Sequence, residues 1–179
     1  TMVTGVFPEK HGIVHNNPLQ PFVPEALQDW YWYRKAVRVP TLYDAAQDAG
    51  MSVAGILWPV TGKARIDYNM PEVKAVGREN QALKVLRNGS PLFCLDMVLR
   101  YGSARNGHGQ PELDDFSTLC AVDTIRRKRP DLLLLHLDAH TDLRDDYLGE
   151  RLSHATVIRR CHDILGDGRI FQFGIRSGA

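Results

Sequence analysis

Apolar and polar residues alternate along the chain in blocks that predict alternating helices and strands. Thr41 can cap a helix that ends at Gly50, because the apolar residues between them recur at helical spacing: Leu42, Ala45, Ala46 and Ala49. Residues 52–58 then form a mostly apolar run that predicts a strand, and Pro59 closes it. A helix, a turn and a strand in this order form a standard unit of α/β proteins.

The second half of the chain continues this pattern. Helices are predicted over 80–86, 92–101, 112–127 and 153–165, and strands over 132–137 and 169–175. The strand 132–137 is short and continuously apolar, which is typical of a strand buried on both faces of a parallel sheet. We therefore predict an α/β fold, a three-layer α/β/α sandwich with a mainly parallel sheet, in which residues 1–179 form a single domain.

Three possible metal ligands follow this strand directly in the segment DAHTD: Asp138, His140 and Asp142. In extended backbone, positions i, i+2 and i+4 share one side, and open parallel sheets place their ligand sites beyond the carboxyl ends of the strands. Carboxylate oxygens and imidazole nitrogens together suit a hard or borderline divalent ion. The alternative is a polar loop in which Asp favours turns and helix caps. The strand in front of the motif favours the metal site.

Composition narrows the class of protein. The chain is 44% hydrophobic and 24% charged, which is typical of a globular protein, and a net charge of +1 gives no field that would attract nucleic acid or an anionic membrane. Three scattered cysteines predict buried free thiols in a protein from a reducing compartment. The sequence contains no run of 18 apolar residues, so no membrane span is predicted. We therefore expect a cytoplasmic protein, with any signal peptide lying upstream of Thr1 and with the oligomeric state left open.

Residues 138–179 resemble the agmatinase branch of the ureohydrolase, or arginase-like, family. The resemblance rests on DAHTD, on SHA at 153–155 and on FGIRSG at the carboxyl terminus. It implies that Asp138, His140 and Asp142 bind a pair of Mn²⁺ ions, and that His154 lies beside the substrate as a polar or proton-transfer group. For His154 the alternative is a surface histidine near a helix start. The family also uses a histidine from a GGDHS-type motif and two aspartates from a DxDxxDP-type motif, and neither motif occurs in these 179 residues.

Residues 1–137 resemble a different family, the type I phosphodiesterases/nucleotide pyrophosphatases of the alkaline phosphatase superfamily. The resemblance is carried by TMVTGVFPEKHGIVHNN, by VPTLYDAAQDAGMSVAGILWPVTGKARIDYN and by RRKRPDLLLLHL. It implies a Zn²⁺ site, a threonine nucleophile that precedes Thr1, and a phosphate-binding role for Asn16, whose amide can donate to phosphate oxygens. The family's Asp-x-x-x-His metal pair is absent, because DAHTDLRDDYLG stands in its place.

The two resemblances meet at His136–Asp138, and we interpret the chain as a junction of two hydrolase fragments. A single family that merges both patterns is the alternative. Because the phosphodiesterase resemblance covers more of the chain, we predict a metal-dependent hydrolase of that kind, acting on a nucleotide or phosphodiester. The alternatives are Mn²⁺-dependent hydrolysis of the guanidinium C–N bond of an agmatine-like substrate, and an inactive α/β domain that binds a metal or phosphate weakly. Both active sites are incomplete in this sequence.

Overall fold

The computed structural model describes residues 2–24, 27–104, 112–136 and 142–172. For Glu112 and His154 it describes the backbone alone. The chain divides into two compact units, one made of residues 1–95 with 131–134 and the other of residues 96–130 with 135–179. The prediction that all 179 residues form a single domain stays a prediction.

The first unit is built on a parallel sheet. Strand β1 (Val53–Ile56) pairs in parallel with β2 (Tyr68–Met70), with Ala54 opposite Tyr68. Strand β3 (Leu132–Leu135) lies on the other side of β1, which gives the order β2-β1-β3. The predicted α/β class with a parallel sheet is confirmed. Strand β2 was not predicted from the sequence, because its three residues, with a buried asparagine at their centre, show neither alternation nor an apolar run.

The core of this unit lies between the sheet and one helix. Tyr43, Ala46, Val53, Ile66 and Leu134 form the buried cluster. Every residue of β1 is buried, whereas Leu134 is the buried residue of β3 and its neighbours are half-buried. The prediction that the strand after Asp131 is buried on both faces was therefore wrong. In the sheet that the described residues form, β3 is an outer strand, and outer strands are covered less than central ones.

Local signals in the sequence explain where the helices of the first unit begin. These helices are α1 (Pro8–His11), α2 (Leu42–Asp48), α3 (Gln81–Asn88) and the first half of α4 (Pro91–Tyr101). The Thr41 hydroxyl accepts a hydrogen bond from the Asp44 backbone N–H, and the Asp44 carboxylate accepts one from the Thr41 backbone N–H at 2.8 Å, which closes a capping box. The predicted helix starts at Thr41 and near residue 80 are confirmed.

The second unit contains the end of α4, α5 (Glu112–Asp123), β3's last residue and α6 (Val157–Leu165). A π-helical turn, Thr124–Lys128, continues α5, so the helix predicted over 112–127 is confirmed with a wider last turn. The Arg127 guanidinium donates to Asp123 at 2.8 Å and to Asp96 at 2.5 Å, and the Tyr101 hydroxyl donates to Asp123 at 2.8 Å. These charge-assisted bonds tie the end of α4 to the end of α5.

Two further predictions concern the cysteines and the last strand. The three cysteines are free and buried, as predicted, and burial raises the pKa of Cys94 and Cys161 to about 11. Residues 169–172 have no regular secondary structure, and residues 173–175 lie outside the described part of the chain, so the strand predicted over 169–175 is not found where the structure can be read. Within the described ranges, no helix is both long enough and apolar enough to cross a membrane.

Candidate functional site

The predicted metal motif begins just after β3. Asp138 and His140 lie outside the described residues, and Asp142 is the predicted ligand that the structure describes. The described ranges contain no group of three or more His, Cys, Asp or Glu side chains that could hold a metal ion. The chemistry of the predicted donor set, two carboxylates and one imidazole, fits a divalent cation such as Mn²⁺ or Zn²⁺.

Asp142 has a special backbone conformation and a fixed position. Its φ is +51°, in the left-handed region that few non-glycine residues adopt and that Asp tolerates better than most. Its carbonyl oxygen accepts a hydrogen bond from the Arg159 backbone N–H at 3.1 Å. Arg159 lies in the first turn of α6, where backbone N–H groups have no partner within the helix. The end of the DAHTD motif is therefore anchored to the start of α6.

His154 lies in a segment that contacts the residues after Asp142. It begins a short 3-10 helix, His154–Thr156, that leads directly into α6. The Arg144 backbone N–H donates to the Ala155 carbonyl at 3.2 Å, so the chain next to His154 is bonded to the chain two residues after Asp142. The Thr156 hydroxyl, fully buried, donates to the Arg151 carbonyl at 2.9 Å and accepts from the Ser153 backbone N–H at 3.0 Å. The two chain segments that contain these predicted site residues are thus hydrogen-bonded to each other.

A charged cluster adjoins this junction. The Arg160 guanidinium donates to the Asp145 carboxylate at 2.6 Å and approaches the Asp163 carboxylate at 3.1 Å. The hydrogen bond from Arg160 lowers the pKa of Asp145 below its usual range, so Asp145 is ionised at neutral pH. The burial of Arg160 was not predicted from the sequence. The signal was present, since Arg160 falls three residues after Val157, on the face that α6 turns inward.

The other histidines do not add to the site in the described chain. His136 was predicted to pack inside a strand over 132–137. In the structure β3 ends at Leu135, so His136 lies just beyond the strand and is exposed. His162 was predicted to be solvated. Its ring lies 2.8 Å from the Asp167 carboxylate, with 39% of the side chain exposed. Loop residue His108 lies outside the described residues.

Asn16, the predicted phosphate-binding residue, belongs to the first unit and is exposed. Its backbone carbonyl accepts a hydrogen bond from the Tyr31 N–H at 2.9 Å, which ties it to the aromatic segment 30–33. In that segment the rings of Trp30 and Trp32 stack at 5.2 Å, with Trp32 buried and Trp30 44% exposed. A role for Asn16 in binding phosphate stays a prediction.

Comparison with known proteins identifies the segment that holds the motif. Residues 114–179 match the Arginase family. The chain is 41% identical over 97 residues to the agmatinase of Bacillus subtilis (strain 168), which covers 50% of this chain and 32% of that protein. It is 56% identical over 52 residues to an agmatinase of Bacillus cereus, and this match covers 29% of this chain and 18% of that agmatinase. It is also 36% identical over 77 residues to the guanidinobutyrase of Pseudomonas aeruginosa, and this match covers 40% of this chain and 24% of that enzyme.

These matches change the balance between the two resemblances. The family match runs without a break from residue 114 through β3 and DAHTD, so the predicted junction at His136–Asp138 gains no support. The similarities support the ureohydrolase resemblance and lend none to the phosphodiesterase resemblance. The chain spans about a third or less of the length of these curated relatives, and the match to the family covers its last 66 residues.

Proposed function

We propose that this chain carries part of the metal site of a ureohydrolase, an enzyme that hydrolyses the guanidinium C–N bond of an agmatine-like small molecule. The observation that carries the proposal is the Arginase-family match over 114–179, which includes both DAHTD and SHA. The anchoring of Asp142 to α6 beside the segment of His154 supports it, because a ligand and a substrate-side group need fixed relative positions.

The proposed metal is a divalent cation, with Mn²⁺ the one implied by the family. Asp138, His140 and Asp142 would hold it, and the bound ion would lower the pKa of a coordinated water and so supply the nucleophile. Three donors are fewer than a two-metal site requires, so we expect these residues to bind one ion weakly.

The residues of this chain also suit a cationic substrate. A guanidinium is planar, positively charged and rich in N–H donors, so carboxylates and neutral imidazoles recognise it through acceptor atoms. His154 would accept a hydrogen bond from the substrate or carry a proton during release of the amine. A phosphodiester is an anion with acceptor oxygens, and two carboxylates side by side repel it unless metal ions outweigh their charge.

The experiment compares ligands on Mn²⁺-loaded protein. Electron paramagnetic resonance of the bound Mn²⁺ is recorded with agmatine, with 1,4-diaminobutane, which lacks the guanidinium, and with a nucleotide diester. The proposal predicts that agmatine changes the spectrum and that the diamine does not. A change produced by the diester alone would favour the phosphodiesterase alternative. A spectrum that none of the three ligands alters would favour the inactive metal-binding domain.

A further inference from the structure

Arg160 is a charged residue buried at a position where an apolar residue would cost less free energy to bury. Helix α6 carries two consecutive arginines, and 45% of the Arg159 side chain is exposed against 9% of the Arg160 side chain. Val157 and Cys161, which share the inner face with Arg160, are also buried. Burying a guanidinium costs free energy, and a well-packed apolar residue in its place often stabilises a protein. Packing of the inner face of α6 therefore does not by itself account for an arginine at this position.

The contacts of Arg160 lie on the segment that follows Asp142 and on its own helix. Its guanidinium donates to Asp145 at 2.6 Å, and Asp145 is three residues beyond Asp142. Two backbone bonds already join the same two segments, from Arg159 to Asp142 at 3.1 Å and from Arg144 to Ala155 at 3.2 Å. The Asp145–Arg160 bond adds a side-chain contact between these two segments. It holds the segment 142–145 at the end farthest from Asp142. A left-handed residue such as Asp142 persists when its surroundings fix both sides of it.

We propose that Arg160 is a positioning residue for the metal site. Through Asp145 it fixes the segment 142–145 against α6, and so keeps Asp142 in the conformation that binds the divalent ion. The inference rests on the proposed function, since it takes Asp142 as a metal ligand. It adds a residue outside the DAHTD and SHA motifs to the determinants of metal affinity.

The test measures the affinity of the full chain for Mn²⁺, with free Mn²⁺ followed by electron paramagnetic resonance. Arg160→Gln is expected to weaken binding about tenfold, the lower end of the range seen when outer-shell partners are removed. Arg159→Gln is the matched control. It removes the same charge from the same helix and loses a bond to Asp163 at 3.1 Å, but its side chain does not hold Asp145, and the backbone N–H that bonds to Asp142 is kept. Its affinity is expected to stay within about twofold of wild type.

A double-variant cycle separates positioning from a general loss of stability. Asp145→Asn should weaken Mn²⁺ binding as Arg160→Gln does, and the double variant should be no weaker than either single variant, because both changes break the bond between Arg160 and Asp145. Asp145 is an exposed loop residue, so its variant keeps the test alive if Arg160→Gln does not fold. A purely structural Arg160 would lower the melting temperature and leave the Mn²⁺ affinity of the folded protein unchanged.

The outcomes distinguish this inference from the proposed function. If wild type binds Mn²⁺ and Arg160→Gln and Arg159→Gln bind it equally well, Arg160 has no positioning role, while the proposed metal site stands. If wild type binds no Mn²⁺, both are overturned. Rescue of affinity by Arg160→Lys relative to Arg160→Gln would support the charge-assisted link to Asp145.

Discussion

Substitutions at Asp142 can separate its backbone role from its role as a ligand. The residue has φ of +51°, which costs an ordinary L-residue about 1–2 kcal/mol and is least unfavourable for Gly, Asn and Asp. Three variants, Asp142→Asn, Asp142→Gly and Asp142→Val, all remove the carboxylate charge. They differ in how easily the backbone adopts the left-handed conformation.

The expected changes in the free energy of unfolding follow from this difference. Asp142→Asn should be close to neutral, because Asn tolerates the same conformation. Asp142→Gly relieves strain but gains freedom in the unfolded chain, worth about 0.5–1 kcal/mol, and the two effects nearly cancel. Asp142→Val should lose about 1–2 kcal/mol, since a β-branched side chain at positive φ is an outlier.

Two measurements on each variant complete the design. Urea unfolding followed by circular dichroism, with chelator present, gives the stabilities. Mn²⁺ binding is measured separately, and all three variants should lose at least as much affinity as the ~10–100-fold that outer-shell residues cost. A variant Asp142→Val as stable as Asp142→Asn would refute the backbone role of Asp142. Binding of Mn²⁺ by Asp142→Asn with wild-type affinity would refute its role as a ligand.

Two further predictions concern the first unit. Burial opposes ionisation of Asp44, but hydrogen bonds from Arg34 and Thr41 outweigh that effect and lower the pKa of Asp44. The ionised Asp44 therefore stabilises the fold above about pH 4, and this stabilisation is lost as the pH falls below the usual Asp pKa. Asp44→Asn should therefore flatten the acid limb of the stability–pH curve, and an unchanged curve would contradict this. Asn16 is exposed and serves the phosphodiesterase alternative alone, so Asn16→Ala should leave Mn²⁺ affinity and the agmatine response within about twofold, whereas a clear loss would revive that alternative.

Local signals made much of the fold predictable. The start of α2 follows from Thr41 and Asp44, which bond to each other across one turn, and the end of α6 follows from Gly166, whose φ is +75°. These features depend on residues a few positions apart. The burial of β3 and the presence of β2 depend on which strands lie beside them, and that arrangement is not encoded in the spacing of a short segment.

The candidate site was predictable as a motif and not as a structure. DAHTD after an apolar run indicates metal ligands because residue types and spacing carry the chemistry. The bond from Arg160 to Asp145 joins residues 15 positions apart and requires the fold. The phosphodiesterase resemblance covers more of the chain, but part of it lies in a helix-turn-strand unit of a kind that recurs in many α/β proteins. Function is a property of the site, and the site motifs pointed to the ureohydrolases.

The most direct test of the central claim is calorimetric titration of Mn²⁺ into wild type, Asp138→Asn and Asp146→Asn. Asp146 is an exposed aspartate four residues beyond the motif, and its variant controls for the loss of one nearby charge. The account predicts that wild type and Asp146→Asn bind about one ion per chain with similar heats, and that Asp138→Asn loses the binding heat. Equal heats from Asp138→Asn and wild type would contradict a metal site at the carboxyl end of β3.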